Sequence, residues 1–277
     1  MTVALVSVGF VILLWWSATG AVFWLDRRTG GAFGWTIAGA TLVLIASLVG
    51  LGLTSQTATP AGAFVAFACA IGVWGWNELL FLTGVVTGPN RRPAEAGLKG
   101  WARFRAAAAS VMHHEVVLLA SAGAVAAVTV GGENHVGLCS FMTLWIMRLS
   151  AKLNIFVGVP NPGERFLPDN LRYLAGHFRN RPVGLFFAVT ITTATIALAG
   201  IALFGAGEAP SDFEIASVAL ISTLLALAVI EHVFLAVPWD SGRLWSGFAA
   251  NDNRRGAKAG PKNAPSKNKP SARAAEA

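Results

Sequence analysis

Seven apolar stretches, each about as long as a membrane is thick, constrain this chain more than any motif in it. A hydrocarbon core of about 30 Å takes about 20 helical residues to cross. By that measure spans are predicted at about 2–24, 33–53, 62–86, 107–130, 135–158, 183–204 and 214–237. The loops between them alternate in charge. Arg27 and Arg28 follow the first span; Arg91, Arg92, Lys99, Arg103 and Arg105 the third; Arg165, Arg172, Arg179 and Arg181 the fifth. Eight more basic residues lie beyond the seventh, so 19 of the 21 Lys and Arg occupy alternate connections. The intervening loops, 54–61, 131–134 and 205–213, carry none. Basic loops stay in the cytoplasm, so the N-terminus is expected outside and the C-terminus inside.

Composition agrees with a polytopic all-α membrane bundle. The chain is 55% hydrophobic and 13% charged, too little charge to cover a soluble surface. The first apolar run lacks a basic n-region and outlasts a signal-peptide core, so it reads as a retained span. The net charge of +7 follows from loops facing an anionic leaflet and calls for no nucleic acid. Cys69 and Cys139 sit in apolar runs and read as two small buried thiols. Residues 241–277, rich in Ala, Pro, Lys and Asn, read as a disordered basic tail.

Two loops read either as ordinary packed connections or as helices lying on the membrane. "LKGWARFRAAAA" offers Trp101, Phe104 and Arg105. "LPDNLRYLAGHFRN" would start at an Asp169 cap and present Leu171, Leu174 and Phe178, with His177 solvated. "AKLNIFVGVPNPGERFLP" stops a helix at Gly158, Pro160 and Pro162. It reads either as a rigid turn or as a lid under the fifth span, with Asn161 and Glu164 at the membrane edge.

Ionisable residues inside the spans carry the functional question. Asn77 and Glu78 lie in the third span, His113, His114 and Glu115 in the fourth, Arg148, Lys152 and Asn154 in the fifth, Glu231 and His232 in the seventh. At 1.5 Å per residue they fall roughly 8–12 Å from the cytoplasmic ends, in one thin layer. Each charged group costs about 2.5–3.5 kcal/mol at mid-bilayer, so these groups should face one another. Consecutive residues are about 100° apart on a helix, so His113–Glu115 sweep about 200° and the fourth span should be central.

Three chemistries fit such a layer. One is an ion-pair network that locks the bundle. A second is a metal site on Glu78, His113, His114, Glu115, Glu231 and His232, holding iron, zinc or manganese. Histidine also serves as an axial ligand to a haem-type or magnesium macrocycle such as a chlorin. The adjacent His–His–Glu and Glu–His runs weigh against the metal, because two ligands on one helix face usually stand three or four apart. The third is a proton path or a small-molecule site contacted by Asn77, Lys152 and Asn154. His135, in "GGENHVG", reads as a solvated outer residue, and Trp74 and Trp76 as core packing more than as walls for a planar ligand.

"NELLFLTG", "GPN" followed by "RRP", "HHE" and "KLNIFVGVPNPGE", in this order within seven spans, resemble the photosynthetic complex assembly protein 2 family, PuhE. The resemblance covers most of spans three to five and the loop that follows. It implies a protein of the bacterial inner membrane linked to assembly of reaction-centre and light-harvesting complexes and to bacteriochlorophyll supply. Expected partners are membrane lipids, reaction-centre or antenna subunits and bacteriochlorophyll enzymes. No catalytic residues come with it. The rival expectation is a membrane metalloenzyme acting on a tetrapyrrole or isoprenoid through the His/Glu cluster. A transporter is disfavoured, because no pair of Gly/Pro-broken helices recurs in corresponding halves.

Overall fold

A computed structural model describes residues 1–237 except Ala96, Arg165 and Phe166, and residues 27–33 by their backbone alone. The region expected to form the basic tail lies outside the described residues. The elements are helices α1 (Thr2–Thr54), α2 (Pro60–Leu82), α3 (Gly100–Thr129), α4 (Val136–Val157), α5 (Leu185–Phe204) and α6 (Asp212–Ala236), with a 3₁₀ helix at Asp169–His177. Apart from one isolated parallel bridge, Val159 to Asn180, the described residues form no β-structure. Seven helical segments are long and apolar enough to cross a membrane, two of them within α1: Thr2–Asp26 and Gly34–Thr54.

A straight helix of 53 residues would be about 80 Å long. The contacts show instead that α1 doubles back. Phe10 packs edge-on against Phe64 of α2, and Gly50 abuts Cys69 in the same stretch of that helix. Val22 approaches Gly75 while Thr41 accepts a hydrogen bond from the Trp76 indole next to it. The run therefore reverses between Val22 and Thr41. The sequence predicts an open loop there; the backbone keeps helical turns up to the reversal.

α2, and not the span bearing His–His–Glu, is the central helix. Over half of its apolar window is buried, twice the share in α3. The core gathers Phe67, Ala70, Val73 and Trp74 of α2 with Val11, Leu51, Leu118, Val125, Phe141 and Leu220. Trp74 stands edge-on to Phe141 at 5.8 Å, which makes it core packing. α5 has a single buried residue, Ala194, so nearly all of it is left to lipid. The thiols differ from expectation: Cys69 is half-buried and Cys139 exposed, both free.

Helices α2, α4 and α6 end at the basic side of the bundle, each with carbonyls left over. At membrane depth such groups must find partners within the protein. Side chains from other segments supply them. Asn170 donates to the Leu82 carbonyl at the end of α2 (2.9 Å), and Asn161 to Phe234 near the end of α6 (3.1 Å). Arg103 donates to Phe156 at the end of α4 (2.8 Å) and to His177 (2.9 Å), its guanidinium 3.8 Å from the Phe156 ring centre. The Val-Pro-Asn-Pro segment is thus a cap on α6.

The 87–90 loop lies along α3. The His114 amide donates to the Thr87 carbonyl (2.9 Å), and Asn90 donates from its amide to Ala109 (3.2 Å) and from its side chain to Ala106 (3.3 Å). Gly88 is required by this approach, since a Cβ there would stand 2.1 Å from the Ala109 carbonyl. The two expected surface helices also differ. "LKGWARFRAAAA" is the first part of α3 itself. The second is the 3₁₀ helix, capped by Pro168 without a side-chain bond, while Asp169 pairs with Arg172. Its Leu171 and Leu174 pack on Phe81, so the apolar face turns into the bundle and His177 is buried with it.

Gly88→Ala should lift the loop from α3 and cost about 1–3 kcal/mol, whereas Gly123→Ala, in open space, should be neutral or slightly stabilising. Thermal unfolding in detergent distinguishes them. Burial, reinforced by the nearby Arg103 charge, holds His177 below its ordinary 6.5. A depressed histidine stabilises the fold above its unfolded value and loses that contribution as pH falls below about 6.5 toward the folded value. Stability should drop on acidification from pH 7.5 to 5, and His177→Phe should flatten that slope.

Candidate functional site

α4 lies between two polar groups of side chains. Trp145, Arg148 and Lys152 are spaced three and four apart and share one face; Ser150 and Asn154 share another. On the first face Arg148 donates to Glu78 Oε2 of α2 at 3.0 Å. Lys152 donates to Glu115 Oε1 of α3 at 2.6 Å, and the Trp145 indole to Oε2 of the same carboxylate at 3.1 Å. Glu231 of α6 receives a hydrogen bond from Trp15 of α1 and lies within the electrostatic reach of Arg148. Three carboxylates thus surround two cations.

His114 stands at the inner wall of this group, 1% exposed and 4.5 Å from the Phe81 ring, which also lies 5.3 Å from the Lys152 ammonium. Its Nε2 is 3.9 Å from Glu78 Oε1, beyond hydrogen-bonding distance. Neither imidazole nitrogen nor Glu78 Oε1 has a hydrogen-bond partner in the structure.

The second face carries a neutral chain. His232 Nδ1 meets the Ala228 carbonyl at 2.9 Å, which requires the proton on Nδ1. Nε2 then accepts from the Ser150 hydroxyl at 3.1 Å. Asn154 donates to the Ser150 carbonyl (3.0 Å) and to the Thr190 hydroxyl of α5 (3.0 Å). Deeper toward the opposite end, Asn77 of α2 and Ser121 of α3 bond each other at 3.0 Å.

The expected common layer therefore resolves into separate pairs. Glu78, Glu115, Arg148, Lys152 and His114 come together, with Glu231 at the edge. His113 is exposed, because one residue is a 100° turn and His114 takes the inward direction. His232 is held on the other side of α4, and Asn77 and Asn154 do not converge with Lys152. Among the described residues, no three His, Cys, Asp or Glu side chains stand where one ion could join them. The six expected metal ligands do not form one site, and Glu78 with His114 is the pair that comes nearest. Sequence reasoning missed Trp15, Trp145, Ser150 and Thr190 as partners. Their spacing gives a signal only once α4 is known to be the polar helix: Trp145 lies three before Arg148, and Ser150 four before Asn154.

Arg148→Met should strand Glu78 and Glu231. Breaking a buried pair costs about 3–5 kcal/mol. With the Arg148 side chain 41% exposed, roughly 2–3 kcal/mol is expected. Adding Glu78→Gln should recover part of that loss, and chemical unfolding of the two single variants and the double closes the cycle.

A family model described as "Protein of unknown function (DUF3623)" matches residues 1–255. The chain is 37% identical over 239 residues to a Rhodobacter capsulatus protein described as "Uncharacterized 30.4 kDa protein in puhA 5'region". That alignment covers 85% of this chain and 87% of the relative. No solved structure matches the chain. The chain belongs to the DUF3623 family, as a multi-pass helical protein of membrane character.

Proposed function

We propose that this DUF3623 member is a PuhE-type assembly factor of the bacterial inner membrane, supporting the build-up of reaction-centre and light-harvesting complexes. The observation that carries the reading is the relative's place in the puhA 5' region, at an identity that spans most of both chains. The motifs "NELLFLTG", "HHE" and "KLNIFVGVPNPGE" lend support by their likeness to that family.

The geometry favours a scaffold over an enzyme. Cations and carboxylates of the polar layer are engaged with one another, which stabilises a particular helix arrangement and leaves few donors for an ion or substrate. The bundle presents long lipid-facing helices, α5 above all, against which antenna or reaction-centre helices could be gathered. Bacteriochlorophyll supply would then be a matter of bringing subunits and pigment enzymes together, with no chemistry by this chain. The metalloenzyme alternative would need three ligands to converge.

Deletion of the encoding gene from a phototrophic host tests this. Near-infrared absorption of isolated membranes should show reaction-centre and antenna bands severalfold below wild type, restored by the wild-type chain. Complexes at wild-type abundance in the deletion strain would overturn the proposal.

A further inference from the structure

Among the described residues the cations inside the bundle, Arg148 and Lys152, face glutamates, while Arg103, Arg179 and Arg181 at its basic end do not. Arg103 belongs to the first turn of α3, a helix of 30 residues, or about 45 Å. A hydrocarbon core of about 30 Å cannot hold all of that length, so the turns carrying Arg103 stand in the headgroup zone. Arg179 and Arg181 follow the 3₁₀ helix on a short extended segment. Val159 fixes that segment: its amide donates to the Arg179 carbonyl (3.1 Å), and the Arg181 amide donates back to Val159 (3.2 Å). The Arg179 amide reaches the Ile155 carbonyl at 3.2 Å, and the Arg181 side chain lies over Gly158, close enough that a Cβ there would be 3.1 Å away.

This construction brings three positive charges together. Arg179 and Arg181 both bear electrostatically on Arg103, whose guanidinium is already fixed by two carbonyls and the Phe156 ring. Among the described residues none of the three has a carboxylate partner. The contrast with Arg148 and Lys152 is plain, since each of those faces a glutamate. Beside the arginines stands an interfacial aromatic pair: Trp101, 68% exposed, stacked on Phe104 at 5.1 Å, which in turn meets Phe156 edge-on. Exposed tryptophan beside clustered arginine is the combination that anchors to a lipid headgroup, indole among the carbonyls and guanidinium on the phosphate.

We infer that Arg103, Arg179 and Arg181 form a binding site for the phosphate of an anionic phospholipid, with Trp101 lying against its glycerol and upper acyl region. Arg103 is the fixed floor of the site, and Arg179 and Arg181 are the free guanidinium groups that close on the phosphate. The lipid offsets the mutual repulsion of the three and fixes the contact between α3, the end of α4 and the segment after the 3₁₀ helix. The site does not depend on the assembly role.

Native mass spectrometry of the detergent-purified full chain, titrated separately with phosphatidylglycerol, phosphatidylcholine and inorganic phosphate, tests it. Wild type should retain phosphatidylglycerol well above phosphatidylcholine. The R179Q/R181Q double variant should bind phosphatidylglycerol about thirtyfold more weakly, on the usual contribution of two basic residues near an anionic surface. R91Q/K99Q, which removes the same charge from exposed positions of the same end, should bind as wild type. Unchanged binding by R179Q/R181Q, equal loss in R91Q/K99Q, or full displacement of the lipid by inorganic phosphate would each overturn the proposal. Both pairs of substitutions leave the backbone bonds of Val159 intact, and an unchanged circular dichroism spectrum verifies that the variants fold.

Discussion

A polar group inside a membrane has no water to fall back on, and the architecture of this protein follows from that condition. Five charged side chains in its spans would together cost on the order of 12–17 kcal/mol if each faced hydrocarbon alone. Facing each other, they turn a penalty into a specification. Glu78 finds Arg148, Glu115 finds Lys152, and Glu231 finds Trp15. Each contact joins two different helices, so the arrangement that satisfies the charges is also the one that fixes the bundle.

The division of labour among helices is physical. α2 is the apolar centre, filled by Phe67, Val73 and Trp74. α4 is the polar centre, since Arg148 and Lys152 on one face and Ser150 and Asn154 on another reach α2, α3, α5 and α6. The same condition governs the backbone. Where α2, α4 and α6 run out of intrahelical donors, Asn170, Arg103 and Asn161 supply them from segments outside those helices. Glu78, Glu115, Lys152 and Asn161, among these capping and pairing residues, lie in the segments "NELLFLTG", "HHE" and "KLNIFVGVPNPGE". This accounts for their position at the basic end without assigning them a reaction.

Much of this was legible in the residues. Length and apolarity located seven spans. The requirement that charges face one another grouped Glu78, Glu115, Arg148, Lys152 and Glu231, of which the first four form direct ion pairs. What remained hidden was direction. Three consecutive polar residues on α3 sweep 200°, and nothing in the sequence says that His114 is the one turned inward or that His113 faces out. Inferring a central α3 from that arc was therefore an error; a single exposed imidazole removed the need. His177 misled for a related reason. Its short helix looks amphipathic and surface-bound, yet Leu171 and Leu174 had an apolar target in Phe81 that only the fold reveals. Partners such as Trp145, Ser150 and Thr190 carry no charge and so give no warning of their part in a network.

The central claim is that intramembrane charges here serve each other pairwise, across helix interfaces. Exchanging the charges of the shortest pair tests it most directly: E115K, K152E and the double exchange E115K/K152E, compared by folded yield in detergent. Either single variant should lose most of its folded protein, and the double exchange should recover a large part of it. Single variants that fold as well as wild type, or a double exchange no better than the singles, would contradict the account.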